Sequence, residues 1–226
     1  MRLSIVMPVL NEAACIIAAL EALAPLRARG VEVIVVDGGS TDATPDVARP
    51  LADRVLSAPR GRALQMNAGA AIAGGDVILF LHVDTRLPEN ADALLCDALM
   101  KAQRVWGRFD VAFSGGALPL VAVTMNLRSR LTGIATGDQA LFVRREAFAR
   151  VGGFPAIALM EDVALSARLK RVSPPACLRA RVTTSPRRWR RHGTLRTVLL
   201  MWRLRLAFFL GADPKRLARA YGHGEN

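Results

Sequence analysis

The sequence is poor in aromatic residues and in cysteine. Phe, Trp and Tyr make up only 5% of the 226 residues, whereas hydrophobic residues make up 52%. This composition excludes a disordered chain and predicts a mostly aliphatic core. The three cysteines, Cys15, Cys96 and Cys177, are far apart and form no CxxC pair. A zinc site is therefore not indicated, and reduced core thiols of a cytoplasmic protein are expected.

Long uncharged apolar runs are also missing. No run reaches the roughly 18 residues of a membrane-spanning helix, and the nearest candidate, 195–210, contains three arginines. The first eight residues are not followed by a small-residue cleavage site, so they predict a strand rather than a signal peptide. A cytoplasmic location is expected, and peripheral contact with the inner membrane stays open.

Acidic residues are absent between Asp162 and Asp213, and the same stretch holds twelve lysines and arginines. The whole chain has a net charge of +12. Such a positive region attracts anions. Diphosphates, nucleic acid and acidic lipid headgroups all qualify, and charge alone does not choose among them.

Strand and helix patterns alternate over the first 105 residues. Apolar, β-branched runs predict strands at 3–9, 31–36, 54–57 and 77–82. Helices are predicted between them at 12–23, 43–49, 62–73 and 90–104, the first capped by Asn11. This alternation predicts an α/β fold, with a mostly parallel sheet flanked by helices.

The pattern changes after residue 105. Strands are predicted at 106–113, 139–144 and 177–184, the last as an edge strand, and helices at 118–131, from about 159, at 195–210 and at 214–221. We find neither an internal repeat nor a linker, so a single domain over 1–226 is expected. Its expected parts are a nucleotide-binding half (1–105), an acceptor and catalytic half (106–192) and C-terminal helices (193–226).

Acidic residues follow three of the predicted strands. Glu12 comes after the first strand, Asp37 ends the second and Asp84 follows the fourth. Ligands of open α/β sheets bind outside the carboxyl ends of the strands. The three carboxylates are therefore expected along one rim, which predicts a binding site there.

Four motifs, taken in order, resemble the family 2 glycosyltransferases. They are Asn-Glu at 11–12, Asp-Gly-Gly-Ser-Thr-Asp at 37–42, the helix start at 61–69 and Met-Glu-Asp at 160–162. The likeness covers roughly residues 3–190. It implies the Rossmann-like GT-A fold and an inverting transfer of a sugar from a nucleoside diphosphate. The short chain, with His-x-Asp and Gly-Asp-Gln, is similar to a bacterial branch often encoded near radical-SAM proteins.

The resemblance implies a donor site, with a UDP-sugar as the expected donor. Asp37 would hydrogen-bond the base and Glu12 would contact the nucleoside, although Asp37 could instead cap its own turn. Arg62 at a helix N-terminus favours phosphate. Asn67 could reach the nucleoside or cap a loop. The implied donor-binding residues are Pro8, Glu12, Asp37, Gly39, Arg62, Asn67, Asp84 and Arg188.

Asp84 stands at the family's metal position, which implies bound Mn²⁺ or Mg²⁺. The usual Asp-x-Asp is altered, because His82 takes its first position. His82 could favour Mn²⁺, leave Asp84 to carry the metal nearly alone, weaken metal dependence or be an ordinary core histidine. His192 is a weaker metal candidate.

Glu161 and Asp162 are the implied catalytic residues, with Asp162 as the general base. Two acids complementing a helix dipole are the plainer alternative. Asp138, Gln139 and Trp189 would contact the sugar or the acceptor. The acceptor is expected to be a small molecule or to be linked to a lipid.

Two other functions were weighed. A nucleotidyltransferase would need a Gly-rich basic loop after the first strand, where this chain has Asn-Glu-Ala-Ala. A nucleic-acid-binding protein is disfavoured by the scarcity of aromatics and of recognisable motifs, so no nucleic-acid partner is expected. The C-terminal helices could pack on the domain or on a second copy in a homodimer, or lie on a membrane surface.

Overall fold

The computed structural model describes residues 1–101 and 103–222, without the side chains of Arg188 and His192. In this part of the chain, eight strands form one sheet. They are β1 (Leu3–Val9), β2 (Glu32–Asp37), β3 (Arg54–Ser57), β4 (Val77–Phe80), β5 (Thr85–Arg86), β6 (Trp106–Phe113), β7 (Phe142–Arg144) and β8 (Ala176–Thr184). The helices are α1 (Ala13–Glu21), α2 (Ala24–Ala28), α3 (Thr44–Ala48), α4 (Arg62–Ile72), α5 (Ala91–Lys101), α6 (Pro119–Thr132), α7 (Arg145–Arg150), α8 (Glu161–Lys170), α9 (Arg187–His192), α10 (Thr194–Phe209) and α11 (Pro214–Tyr221).

The first half of the sheet is parallel. Its strands lie in the order β3-β2-β1-β4, and Val6 of β1 lies between Ile34 of β2 and Phe80 of β4. Val6, Ile34 and most other residues of these three central strands are buried, as continuous apolar runs covered by helices on both faces should be. This half brings the ends of β1, β2 and β4 to one rim.

The second half of the sheet is mixed. β7 runs antiparallel to both β4 and β6, β6 and β8 are parallel, and β5 pairs antiparallel with β8. The predicted α/β class with a mostly parallel sheet and C-terminal helices is confirmed. The prediction of β8 as an edge strand holds for most of its length, because the two-residue β5 pairs only with Thr183 and Thr184 at its end.

Helices cover both faces of the sheet, and a separate apolar cluster lies under the C-terminal helices. On one face α4 packs so closely that a Cβ at Gly69 would lie 2.4 Å from Val6 Cγ1. The expectation of core thiols is wrong, since Cys15, Cys96 and Cys177 are free and partly exposed.

Two predicted element boundaries are wrong at loops that later form the site. α1 begins at Ala13, so the N-cap position is occupied by Glu12 and not by Asn11. Asn11 adopts a left-handed conformation (φ 52°) before the helix. The predicted strand 139–144 begins only at Phe142, since Gly137–Gln139 forms a 3₁₀ turn. Both differences arise from hydrogen bonds to residues distant in the sequence or across the turn, which local patterns do not contain.

Candidate active site

The loop after β1 is fastened to the loop after β2. The Asn11 backbone N–H donates to Ser40 Oγ at 2.8 Å, and Asn11 Oδ1 accepts the Thr41 N–H at 2.8 Å. One residue further on, the Glu12 N–H donates to Thr44 Oγ1 at 2.8 Å. These bonds fix the rim of the sheet where Glu12 and the Asp37 turn meet.

Asp37 is buried at the end of β2 and caps its own turn. Its carboxylate accepts the Gly39 and Ser40 backbone N–H groups, each at 3.0 Å, and the Ser40 hydroxyl at 2.5 Å. Gly39 has φ 89°, which a side chain would strain. The turn-capping alternative is thus present in the structure, and the contact of Asp37 with a base stays a prediction.

Gln65 of α4 joins the ends of β1 and β2. Its buried side-chain amide donates to the carbonyls of Val9 and Val36, both at 2.8 Å. A Cβ at Gly38 would lie 3.0 Å from the same amide, so the turn after β2 sits directly against it. Pro8, a predicted donor contact, lies opposite Val36 in the β1–β2 register. Gln65 was not predicted as a site residue, although a polar residue on the buried face of a helix indicates a buried hydrogen bond.

Asn67 and Arg62, both on α4, differ in their surroundings. The Asn67 amide donates to the Phe154 carbonyl at 2.8 Å and accepts its N–H at 2.9 Å, which favours the loop-capping alternative. Arg62 is exposed at the helix N-terminus. The surrounding protein disfavours its charge, but attraction by nearby acids, Glu161 first, raises the pKa of Arg62. Arg62 therefore faces the predicted catalytic helix.

His82 follows β4 and packs between Asp138 and Gly137. Its Nδ1 lies 3.4 Å from Asp138 Oδ1. A Cβ on Gly137 would lie 2.4 Å from His82 Cε1 and 2.6 Å from Nε2, so glycine is required there. Surrounding protein opposes the charge of Asp138, but the bond with His82 and then Arg62 and Arg205 lower its pKa. His82 is thus in contact with the Asp138 turn, and its binding of a metal ion stays a prediction.

Asp84 is half-buried in the turn between β4 and β5. Among the described residues, no group of three His, Cys, Asp or Glu side chains is arranged to hold a metal ion. A cation at Asp84 would therefore need donor phosphate oxygens and water as its other ligands. Mg²⁺ and similar hard cations commonly bind in this way, so a single carboxylate fits such a metal.

Glu161 and Asp162 begin α8, which follows Met160 in a left-handed conformation (φ 69°). Asp162 Oδ2 accepts the Gly137 N–H at 2.8 Å, and Oδ1 accepts the Val163 N–H at 2.7 Å. Burial and then the charge of Asp162 raise the pKa of Glu161 to about 7. The two carboxyl groups therefore differ: one is hydrogen-bonded to backbone, and the other is buried and easily protonated.

Two arginines, one on α6 and one on α10, are attracted by Asp162. Burial lowers the pKa of Arg205 on α10, against attraction by Asp162 and Asp138. Burial and then repulsion by Arg205 lower the pKa of Arg128 on α6 to about 10. Neither arginine was predicted as a site residue. A signal existed for Arg205, because it lies off the helix face shared by Arg196 and Arg203.

The predicted acceptor contacts have different outcomes. Gln139 is fully buried, and its Oε1 accepts the Thr136 N–H at 3.2 Å within the 3₁₀ turn, so its contact with a sugar stays a prediction without support from its exposure. Trp189 is half-buried against Phe113, with ring centroids 5.8 Å apart. Arg187, on the same helix as Trp189, lies 3.5 Å from Glu12 Oε1. Helix α9 thus connects the end of β6 with the β1 loop.

The side chains of Arg188 and His192, predicted for donor and metal binding, lie outside the described residues. Within the described ranges, the structure has no helix that is both long and apolar enough to span a bilayer.

The chain matches two curated relatives, in each case over part of the relative's length. A PGL/p-HBAD biosynthesis glycosyltransferase of Mycobacterium bovis is 39% identical over 98 residues, which are 40% of this chain and 38% of the relative. The succinoglycan biosynthesis protein ExoA of Rhizobium meliloti is 32% identical over 188 residues, which are 73% of this chain and 57% of ExoA. The chain therefore spans well under two thirds of either relative.

Solved structures share the fold at low sequence identity. S. aureus TarS 1-349 in complex with UDP-GlcNAc has a TM-score of 0.67 and 18% identity, over 82% of this chain and 58% of TarS. The mannosyltransferase PcManGT of Pyrobaculum calidifontis, in complex with GDP-Man and Mn²⁺, has a TM-score of 0.66 and 21% identity, over 97% of this chain and 68% of that one.

The sheet order and these likenesses identify the predicted GT-A fold. The sequence model described as glycosyl transferase family 2 matches residues 4–150, which include the rim loops, Gln65 and the Asp138 turn. The chain belongs to glycosyl transferase family 2.

Proposed function

We propose that the protein is an inverting glycosyltransferase that moves a sugar from a UDP-sugar to an acceptor hydroxyl, with Mn²⁺ or Mg²⁺ bound at Asp84. One observation carries this proposal: the Gly137 N–H holds Asp162 beside the turn that contains Asp138. Asp162 attracts Arg62 and Arg205 there. The same turn packs on His82, which follows β4. Positive charge beside Asp162, next to the residue that follows β4, supports the interpretation of Asp162 as a base and of Asp84, two residues after His82, as the carboxylate for a metal ion. Family membership supports sugar transfer as the reaction.

Asp162 would act as the general base. Its two backbone hydrogen bonds hold the carboxylate in one orientation, and an oxygen with a remaining lone pair can take the proton of the acceptor hydroxyl. The hydroxyl oxygen then attacks the anomeric carbon from the face opposite the diphosphate. One displacement inverts the configuration at that carbon.

Glu161 would set the charge of the pair. Because its pKa lies near 7, the two adjacent carboxyls do not both carry a full charge at neutral pH. The acceptor proton then goes to Asp162, which has the backbone donors. Glu161 is thereby a residue that sets the pH range of the reaction.

The leaving nucleoside diphosphate needs positive charge. Arg62 is exposed at the start of α4, where its guanidinium and the helix N-terminus both favour phosphate. A divalent cation, when bound at Asp84, would neutralise further charge on the diphosphate. The Asp37 turn and the fastened β1 loop would hold the nucleoside.

Calorimetric titration with UDP, GDP, CDP and dTDP, each with and without Mn²⁺, tests the donor site. UDP is expected to bind most tightly, and Mn²⁺ is expected to strengthen its binding. Asp84→Asn should remove the gain from Mn²⁺, whereas Asp46→Asn on exposed α3 should keep it. If the folded protein bound none of the four nucleotides, the proposed function would be wrong.

A further inference from the structure

Helix α10 exposes an apolar stripe along its whole length. Its members recur at intervals of three or four residues, the spacing of one helix face, and are 57% to 72% exposed. They are Leu195, Leu199, Trp202, Leu206 and Phe209. The opposite face, which includes Thr197 and Leu204, is buried against the protein. The stripe is therefore not needed to pack α10 on its own domain.

Helix α6 exposes a second apolar stripe. Its members are also one helix face apart and are 54% to 77% exposed; they are Leu120, Val123, Leu127 and Leu131. Apart from Leu210, which follows Phe209 at the end of α10, the other exposed large apolar side chains among the described residues stand singly, as at Ile17, Leu64 and Met100. Scattered apolar residues are normal on a protein surface, but contiguous exposed stripes mark a contact surface.

The surface around the stripes is basic. Arg196 and Arg203 lie seven residues apart on α10, beside its stripe, and are exposed. Neither α6 nor α10 contains an acidic residue. On the neighbouring α11, Lys215, Arg216 and Arg219 are exposed as well. The combination of exposed apolar side chains with flanking arginines suits the interface of an anionic bilayer.

We propose that the exposed stripes of α6 and α10 form a docking surface for an anionic lipid bilayer. A second copy of the chain fits less well, because a symmetric interface would bring Arg196 and Arg203 of both copies together. Arginine beside the apolar stripe complements lipid phosphate and repels another such surface. Helix α10 would lie on the membrane rather than cross it.

The docking surface adjoins the predicted catalytic residues. Arg128 follows Leu127 directly in α6, and Arg205 precedes Leu206 in α10; the two arginines repel each other and both attract Asp162. Within the described residues, Nε and Nη2 of Arg128 have no hydrogen-bond partner. Resting on the proposed function, this arrangement lets an acceptor with a lipid chain and an acidic group reach Asp162 from the bilayer.

Co-sedimentation with vesicles tests the surface. The full chain is mixed with vesicles of phosphatidylcholine alone, or of phosphatidylcholine with a third phosphatidylglycerol, at low and at high salt. Binding is expected only with phosphatidylglycerol and should weaken with salt. Leu199→Glu with Leu206→Glu should lower binding about tenfold or more, whereas the matched control, Ile17→Glu with Met100→Glu, should bind like the parent.

Trp202 provides a spectroscopic reading of the same event. Trp202 is 66% exposed, whereas Trp106 is fully buried and Trp189 is half-buried against Phe113, so a blue shift in emission on binding is expected chiefly from Trp202. Trp202→Leu should lose that shift while vesicle binding persists. A shift unchanged in Trp202→Leu would mean that α10 does not enter the lipid interface.

The remaining outcomes separate this inference from the proposed function. No binding to phosphatidylglycerol vesicles, equal binding to both lipids, or full binding by the Leu199 and Leu206 double variant would overturn the docking surface. Self-association that the double variant abolishes would assign the stripes to a second copy instead. UDP titration is run on the same samples, so that absence of vesicle binding by the parent chain, with intact UDP binding, overturns only the docking surface. Vesicle binding without UDP binding overturns only the proposed function.

Discussion

Two regions beside the proposed site differ in how their side chains are paired. One region is the pair of loops after β1 and β2, and the other is the pair of helices α6 and α10. In the loops, polar groups are bonded within the protein: Asn11 bonds Ser40 and Thr41, and Asp37 caps its own turn. On the helices, apolar side chains are exposed in stripes, and two nitrogens of Arg128 have no partner among the described residues. The loops satisfy their polar groups within the protein, whereas the helices leave apolar surface exposed to water.

This difference suggests how each side uses its ligand. Preformed loops bind with little loss of conformational entropy, which suits a nucleotide of fixed shape. Exposed apolar faces carry an unfavourable contact with water until another surface covers them. The comparison can be tested by changing one residue at a time on each side.

The largest effect is expected at the base. Asp162→Asn keeps the shape and can still accept the Gly137 N–H, but an amide does not take the acceptor proton. Turnover, measured as nucleoside diphosphate released from the sugar donor, should fall about 10²- to 10⁴-fold. UDP affinity by calorimetry should stay near that of the parent. Turnover at the parent's rate would show that Asp162 is not the base.

A smaller effect is expected from Glu161→Gln. Burial and Asp162 raise the pKa of Glu161 from 4.5 to about 7, so the folded state holds the proton more tightly than the unfolded state. The parent should therefore lose stability as pH rises from about 4.5 to 7, by up to about 3 kcal/mol. Urea unfolding at several pH values should find this slope missing in Glu161→Gln. Exposed Glu146→Gln should retain the slope, and a slope unchanged in Glu161→Gln would contradict the assignment.

Gln65→Leu tests the preformed loops after β1 and β2. The Val36 carbonyl would lose the side-chain donor, and Val9 would keep only the Gly38 N–H. The free energy of unfolding should fall by about 2 kcal/mol, because two buried carbonyls each lose the hydrogen bond from this amide. UDP binding should weaken too, since both rim loops start at these strand ends. The neighbouring Leu64→Ala, on an exposed position, serves as the control and should change neither quantity much.

The smallest effect is expected on the exposed side. Leu131 is 77% exposed, so Leu131→Glu should change the free energy of unfolding by no more than about 0.5 kcal/mol. By contrast, Leu95→Ala, at a fully buried position of α5, should cost about 2–5 kcal/mol. A large loss at Leu131 would mean that α6 uses its stripe for folding, and the contrast between the two sides would fail.

Much of the fold could be predicted because its signals are local. The bounds of β1, β3 and β6 match the predicted runs, and in β1 the apolar, β-branched residues of a buried strand leave few alternatives. The rim of the sheet followed from the position of Glu12, Asp37 and Asp84 after strands. Their placement needed no knowledge of contacts between distant residues.

The site was harder to predict where side chains form hydrogen bonds with the backbone of residues outside the local pattern. Gln139 is hydrogen-bonded within its own turn, and Asn67 holds Phe154, which is 87 residues away. Arg205 reaches Asp162 only because α10 packs beside α8. Sequence spacing cannot report such pairings. The general base and the metal residue stay predictions, which Asp162→Asn and Asp84→Asn test.

Gln65 has a consequence for donor selectivity. One amide group bonds both Val9 and Val36, so it fixes the distance between two neighbouring strand ends from behind. The spacing of these strand ends is then set by α4, whereas the chemical groups proposed to face the base belong to the loops. Loops grafted from a relative with another nucleotide should change which base is accepted while the strand ends keep their spacing. Donor preference would thus be separable from the scaffold that holds it.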